Sequence, residues 1–481
     1  MTKIHDVLNK ADGIEISNHL KNKDFSAIEL VTAVIERAEK VNPQLNAINE
    51  LNAEVAYLAA EKVDLNASAL AGVPTFCKDL FTSSKGLIMT NGSRALGQDV
   101  AEIDDNFITR YKEGGVVIVG STNSPEFGTS FATESSRHGA TRTPWNLEHS
   151  SGGSSGGAAA IVAARVVPFA HATDGGGSIR VPASCCGLFG LKPSRGLMPI
   201  GPYVGEGWAG FGTPHAVTLS VRDSAALLDI SAGTDLGAPY SAPAKPASYV
   251  EALQTPVKKL RIGLYESVEH WASSDDAKKA VQFAAKCCED LGHEVEITKI
   301  PVDYELFFKD FFNIMGVNTA DYVGHIGQMQ GKPVDLSLLD PRNRTFVQAK
   351  QNTSAIEYVN SVTNMHILGR TMAEYMKNFD VILSPTLALE PVKVGNFNFD
   401  TSKTIDDISE AFHRYAPFTT VANATGQPAM NVPLFWNAVG LPIGVQFAGR
   451  FGEEVTLLQL AHQLEQAIPW IDKIPPVNAM F

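Results

Sequence analysis

The sequence predicts an α/β protein, on three observations. Short apolar runs closed by glycine, such as Gly115-Val-Val-Ile-Val-Gly120, follow helical text such as Phe107 to Lys112. The same alternation returns between residues 260 and 384. Such runs lack internal polar alternation, which marks strands buried on both faces under helices. With 481 residues, 44% hydrophobic and 19% charged, the chain can bury a core of the size this sheet needs.

Near the start, Ser26-Ala-Ile-Glu29 is a capping box, and Leu30, Val34, Ala38 and Val41 recur at helical spacing, predicting a helix of about four turns. A second, alanine-rich helix is expected around Ala53 to Val63, followed by the strand Val116 to Gly120. Gly157 to Ala164 reads as a helix and Val166-Val-Pro-Phe-Ala170 as a strand. Later come a strand at Leu260 to Leu264, an amphipathic helix at Asp275 to Leu291, and strands at Glu294 to Thr298 and Val381 to Ser384. Residues 305–375 are helical and irregular text with Phe307-Phe308, Phe311-Phe312, Met315 and Met329, expected to pack as helices. The Ala- and Pro-rich stretch from Leu236 to Tyr249 is expected as an exposed loop, because strand and helix text resumes on both sides. No internal repeat is present.

A formal net charge of −13 repels polyanions and no long basic run relieves it, so no nucleic-acid partner is expected. The five cysteines, at 77, 185, 186, 287 and 288, include two adjacent pairs and no C-x-x-C. That excludes a disulfide framework or a zinc site and predicts buried free thiols, with no metal and no cofactor. The N-terminal text has no apolar h-region and nowhere do 18 apolar residues run together, so no membrane partner and a cytoplasmic location are expected.

Residues 150–200 carry the chemistry: two clusters of glycine and serine flank the alanine-rich helix. A flexible linker would not need the Ile179-Arg-Val-Pro and Gly187-Leu-Phe-Gly-Leu191 that follow. A phosphate cradle lacks its lysine after Gly152 to Gly157. Nucleophilic catalysis remains. Gly175-Gly176-Gly177-Ser178 offers successive backbone N–H groups beside a serine hydroxyl, a nest for an oxyanion in which each donor is worth about 3 kcal/mol. A serine still needs a base. Gly152-Gly-Ser154-Ser-Gly156 also fits the G-x-S-x-G elbow, but Pro144-Trp-Asn-Leu-Glu-His-Ser-Ser ahead of it is not an apolar strand.

GGSSGG, then TDGGGSIRVPA and GLFGLKPSRG, with Ser154 and Ser178 24 residues apart, resemble the signature of the amidase signature family. Gly72-Val-Pro-Thr-Phe-Cys-Lys78-Asp79, Asp380 to Thr386, Asn423-Ala-Thr-Gly-Gln-Pro428 and Gly440 to Phe447 extend that resemblance from about residue 20 to 470. It implies the amidase-signature fold: a large mixed twisted β-sheet covered by helices on both faces, in a single domain spanning 1–481. Within it, 1–65 would be an N-terminal helical part, 66–250 the catalytic core with the signature at 150–200, 251–375 a variable region near the substrate pocket, and 376–475 the C-terminal part of the core.

The resemblance further implies an amide hydrolase with Ser178 as nucleophile, Ser154 in a cis peptide as proton relay and Lys78 as ultimate base. A lysine has a pKa of about 10.4 in water, so Lys78 must be desolvated to serve. Gly175, Gly176, Gly177 and Ser178 would hold the oxyanion. Ser155 would orient the relay, with Asp174 and Arg180 as structural partners of the loop. His149, His171 and His215 are left to ordinary hydrogen bonding, and Cys185-Cys186 to the core. The acyl pocket would be lined by Phe127, Gly128, Thr129, Ser130 and Phe131, with Met315 at a further pocket position.

Within the family, ATRTPWN, Pro199-Ile-Gly-Pro202, Ser220 to Asp229 and Gln466-Ala-Ile-Pro-Trp470 are similar to the linear- and cyclic-amide hydrolases typified by 6-aminohexanoate-cyclic-dimer hydrolase. A small-molecule amide, linear or cyclic, is therefore the expected partner. Two alternatives share the fold: the A subunit of a glutamine-dependent tRNA amidotransferase, for which no glutamine-recognition segment is found, and a catalytically silent binding protein, against which Lys78, Ser154 and Ser178 speak. The sequence carries no oligomeric state, and a homodimer is the default expectation.

Overall fold

The apolar runs fold into two neighbouring sheets. The structure is a computed structural model that describes residues 2–400 and 402–480. Strands β1 (Ile48–Leu51), β2 (Pro74–Lys78) and β3 (Val117–Thr122) form a three-stranded sheet in the order β1-β3-β2, with β2 and β3 parallel. Strands β4 (Phe169–Asp174), β5 (Phe189–Lys192), β6 (Thr213–Thr218), β7 (Arg261–Leu264), β8 (Glu294–Ile297), β9 (Val381–Pro385), β10 (Ala429–Trp436) and β11 (Pro442–Gly449) form the larger sheet. Its order is β8-β7-β9-β11-β10-β5-β6-β4, and β7 is parallel to both neighbours while every other pair is antiparallel. The sheet is therefore mixed.

The two sheets meet edge to edge at β2 and β4, and side chains hold the seam. Thr75 Oγ1 donates to the Phe169 carbonyl at 2.8 Å, and the Lys78 N–H donates to His171 Nδ1 at 3.2 Å. This places Lys78, the last residue of β2, beside Thr173 and Asp174 at the end of β4.

Helix α1 (Ala27–Leu45) starts at the expected capping box, Ser26 Oγ accepting from the Glu29 N–H and the Glu29 carboxylate from the Ser26 N–H. It runs a turn beyond expectation, because Leu45 is buried too and Asn46, left-handed at φ 51°, closes it. Helices α2 (Gly156–Ala163), α3 (Arg180–Cys186), α4 (Asp275–Asp290), α5 (Tyr304–Gln330), α6 (Pro341–Lys350) and α7 (Glu454–Ala467) follow. Every residue of α2 is buried, as its unbroken apolar text requires. Successive residues of a strand face opposite sides, so Gly444 and Gly449 of β11 look in opposite directions. A Cβ on Gly444 would meet Ser184 of α3 at 2.7 Å, and one on Gly449 would meet Leu457 of α7 at 3.1 Å. Helices thus cover both faces of the larger sheet.

Two expectations are corrected. The strand placed at Val166 to Ala170 begins at Phe169 and runs to Asp174. Pro168 has no N–H to give to a ladder, so pairing starts after it. Cys287 is half-buried, unlike Cys77, Cys185, Cys186 and Cys288, because its position on amphipathic α4 lies at the edge of the apolar stripe. Residues 305–375 fall mainly into three helices, α5, α6 and Ala355–Tyr375. Among the described residues no helix is long and apolar enough to cross a membrane.

Gly120 lets β1 lie close against β3: a Cβ there would stand 2.0 Å from the Glu50 carbonyl oxygen. Gly120→Ala is expected to cost about 1–3 kcal/mol through overpacking of backbone. A thermal unfolding midpoint equal to that of the wild type would contradict this close approach.

Candidate active site

Lys78 ends a strand whose five residues are all buried, and its side chain is fully buried in the seam. Nζ donates to Ser154 Oγ at 2.7 Å and to Thr173 Oγ1 at 2.9 Å. It forms no ion pair among the described residues. Burial drives the Lys78 pKa well below the ordinary lysine value, and the more distant charge of Asp174 offsets this only in part.

Ser154 lies in the turn that leads into α2, and the Gly153–Ser154 peptide is cis. Gly153 has no room for a side chain, since a Cβ would sit 2.7 Å from the Ser130 carbonyl oxygen. The neighbouring Ser155 ties the pieces together. Its Oγ donates to the Thr173 carbonyl at 3.2 Å and accepts from the Thr173 N–H at 3.3 Å, while its own N–H donates to the Ser178 carbonyl at 3.3 Å.

The glycine turn after β4 is built around Asp174. Its carboxylate accepts from the Gly177 N–H at 2.8 Å, the Ile179 N–H at 3.1 Å, and Arg180 Nε and Nη2 at 3.0 and 2.9 Å. Burial pushes the Asp174 carboxyl up, but the Arg180 guanidinium outweighs it and holds the group below the usual carboxylate range. Arg180 also donates to the Thr419 carbonyl, Gln446 Oε1 and Asn423 Oδ1 at 2.8, 2.7 and 2.6 Å. The hydroxyls of Thr419 and Thr420 both donate to the Gly176 carbonyl, at 2.7 and 2.9 Å. Gly177 is left-handed at φ 137°, and a Cβ there would stand 2.4 Å from Thr419 Oγ1, so only glycine fits.

This geometry changes the expected nest. The Gly177 N–H is engaged by Asp174 within the turn, which leaves the N–H groups of Gly175, Gly176 and Ser178 without a protein acceptor among the described residues. Ser178 Oγ likewise has no hydrogen-bond partner among them, and the residue is 6% exposed.

The pocket residues separate. Phe131 and Met315 lie in one apolar cluster with Phe311, Phe312 and Phe412, and a Cβ on Gly176 would meet Phe311 at 3.3 Å and Phe131 at 3.9 Å. Phe127 instead packs edge-on to Tyr322, in a cluster with Leu339 and Val347. Its backbone is left-handed at φ 54°, which turns the ring away from Phe131. The Thr129 hydroxyl donates to Asn343 Oδ1 at 2.5 Å and accepts from Arg342 Nε at 3.1 Å, so it is held by α6. Gly128 backs onto Ser154, since a Cβ there would stand 3.5 Å from Ser154 Oγ. Ser130 Oγ accepts from the Ala132 N–H at 3.2 Å.

Burial holds His171 and His215 near a pKa of about 3, His171 accepting from the Lys78 N–H and His215 Nε2 standing 2.9 Å from Ser224 Oγ. His149 lies on the hairpin strand Asn146–Ser150, which does precede Ser154 but pairs with Arg142–Thr143 outside the main sheet. Thr173, Trp208, Thr419 and Thr420 were not singled out from sequence. Thr173 stands one residue before Asp174 and is legible by position; Trp208 comes from the loop between β5 and β6, and Thr419 and Thr420 open the helix Thr419–Thr425. Among the described residues no group of His, Cys, Asp and Glu is placed to hold a metal.

The family model for amidases matches residues 29–458. The chain belongs to the amidase family. This amidase, a hydrolase of amide bonds, is 32% identical over 468 residues to the 6-aminohexanoate-cyclic-dimer hydrolase of Paenarthrobacter ureafaciens, covering 95% of this chain and 94% of that one. It is 34% identical to the putative amidase AmiC of Mycobacterium bovis, covering 98% of each. Its fold superposes on a 6-aminohexanoate cyclic dimer hydrolase solved with substrate at a TM-score of 0.93, with 31% identity, covering 98% of this chain and 100% of that one.

Removing Arg180 would leave Asp174 buried and uncompensated. Arg180→Ala is expected to destabilise the amidase by about 3–5 kcal/mol, read by chemical denaturation. Arg180→Lys, which keeps the charge but not the fork, falls between. An Arg180→Ala protein as stable as the wild type would show that this pair does not hold the turn.

Proposed function

We propose that Ser178 attacks the amide carbonyl, with Ser154 and Lys78 as its proton relay. The observation that carries the reading is the Lys78 amine: buried, without a counter-ion, and 2.7 Å from Ser154 Oγ. A neutral amine there accepts the Ser154 proton as Ser154 takes the proton of Ser178. The Ser178 oxygen then forms a bond to the carbonyl carbon, and the carbonyl oxygen becomes the oxyanion. Donors for it are the free N–H groups of Gly175, Gly176 and Ser178. The relay runs back to protonate the leaving amine as the C–N bond breaks, because an unprotonated amine leaves poorly. Water then repeats the sequence on the acyl-enzyme and releases the acid. Ser155 positions Thr173 and the Ser178 segment relative to this line.

The substrate class we infer is a small linear or cyclic carboxylic amide. Its support is the likeness over nearly the whole chain to 6-aminohexanoate-cyclic-dimer hydrolase, together with the apolar cluster of Phe131 and Met315 beside the glycine turn.

A fluorophosphonate is expected to label Ser178 in the wild type and to leave Ser178→Ala unlabelled, by peptide mass mapping. Label retained by the mutant overturns the assignment. The rate of acylation is expected to rise with pH and level off well below the ordinary lysine pKa of about 10.4, because only the neutral amine accepts the proton. A rate that is still rising with its midpoint at the ordinary lysine value of about 10.4 contradicts a desolvated Lys78 as the base. Ser154→Ala is expected to slow acylation by about 10²–10⁴-fold while Ser178 remains in place, and a smaller loss would point to direct transfer to Lys78.

A further inference from the structure

The loop between β5 and β6 brings Trp208 onto the glycine turn. A Cβ on Gly175 would stand 3.1 and 3.2 Å from the indole atoms Cε3 and Cζ3, so the ring lies in contact with the backbone next to the free N–H groups. The indole is half-buried and its edge meets Phe311 at 6.4 Å between ring centroids. Phe311 in turn leans on Phe211 and touches the Gly176 position, as Phe131 does. The glycine turn is therefore flanked by one continuous aromatic wall.

Trp208 is held there against its own backbone preference. Trp208 and Ala209 are left-handed at φ 52° and 53°, and Gly210 at 82°. Non-glycine residues in this region persist only where the surroundings fix them, and such strain gathers at functional sites. Here the surroundings are specific: Arg195 Nε donates to the Gly210 carbonyl at 2.6 Å, and Asn423 Nδ2 donates to the Phe211 carbonyl at 3.0 Å. Asn423 Nδ2 also bonds the Asp174 carbonyl and carboxylate at 3.0 and 2.8 Å, so one residue anchors both the Trp208 turn and the Ser178 turn. The backbone that carries the indole cannot shift without loosening the anchor they share.

We propose that Trp208 is a specificity-determining residue that forms the wall of the acyl subsite, selecting amides whose acyl part is uncharged and apolar for several carbons beyond the carbonyl. The proposal rests on Ser178 being the acylated residue. An indole face packs along methylenes or a ring and gives a short acyl group little to touch, so it discriminates by chain length.

The test compares labelling rates for an ethyl and a decyl fluorophosphonate in the wild type, Trp208→Ala, Trp208→Phe and Tyr203→Ala, with the labelled residue mapped each time. Tyr203 sits at the exposed tip of the same loop, 71% exposed, and controls for damage to the loop. The decyl-to-ethyl rate ratio is expected to fall by roughly fivefold or more in Trp208→Ala and to keep its wild-type value in Tyr203→Ala. A smaller fall in Trp208→Ala, or an equal fall in Tyr203→Ala, overturns the role of the indole. If Trp208→Ala does not fold, Trp208→Phe decides, with a fall of about threefold expected and an unchanged ratio contradicting the proposal. Label found on a residue other than Ser178 overturns the Ser178 assignment itself, and the acyl-subsite proposal with it.

Discussion

An ammonium ion moved from water into a closed interior loses several kcal/mol of hydration unless a counter-ion restores it. Lys78 has been placed in such a position with two hydroxyls and, among the described residues, no ion pair. The folded protein therefore favours the neutral amine. Everything near it follows from the need to keep that amine dry and aimed at Ser154. The seam between β2 and β4 supplies the burial, the Thr75 and His171 bonds keep the seam shut, and Thr173 fixes the amine's second hydrogen bond.

The buried charge that the site does contain is treated in the opposite way. Asp174 and Arg180 form a fully hydrogen-bonded ion pair, whose fork reaches Thr419 and Asn423 on one helix and Gln446 on β11. One interior thus pushes a lysine toward its neutral form and holds an aspartate ionised close by, because their partners differ. Hydroxyls satisfy an amine without charging it, and a guanidinium satisfies a carboxylate by matching its geometry. The pair fixes the glycine turn so that Gly177 faces inward and its neighbours keep their N–H groups free.

Much of this was legible in the sequence, for reasons of local physics. The capping box at Ser26, the valine-rich run at β3 and the amphipathic α4 each declared themselves by periodicity. Ser178 stood out through the glycines before it, which mark backbone that must turn sharply, whereas Lys78 and Ser154 were reached only through the resemblance of their motifs to the amidase signature. The offset of β4 was hidden by apolar text on both sides of Pro168, and its correct end at Asp174 is what sets Thr173 beside Lys78. The separation of Phe127 from Phe131 was not legible either. Four residues apart in an irregular turn, their ring directions depend on a left-handed backbone that spacing does not reveal. Trp208, Thr419 and Thr420 reach the site only through tertiary packing, and nothing local in their text announces it.

The protonation state of the Lys78 amine can be observed without any substrate. Protein carrying ¹³C at the lysine ε-carbons, with Lys78 assigned by comparison with Lys78→Arg, should show the Lys78 signal at the shift of a neutral amine at about pH 8, where a lysine in water, with a pKa of about 10.4, remains an ammonium; Lys192, which burial pushes down to about 7, is assigned separately through Lys192→Arg. A Lys78 signal that stays at the ammonium position until about pH 10 would contradict the account.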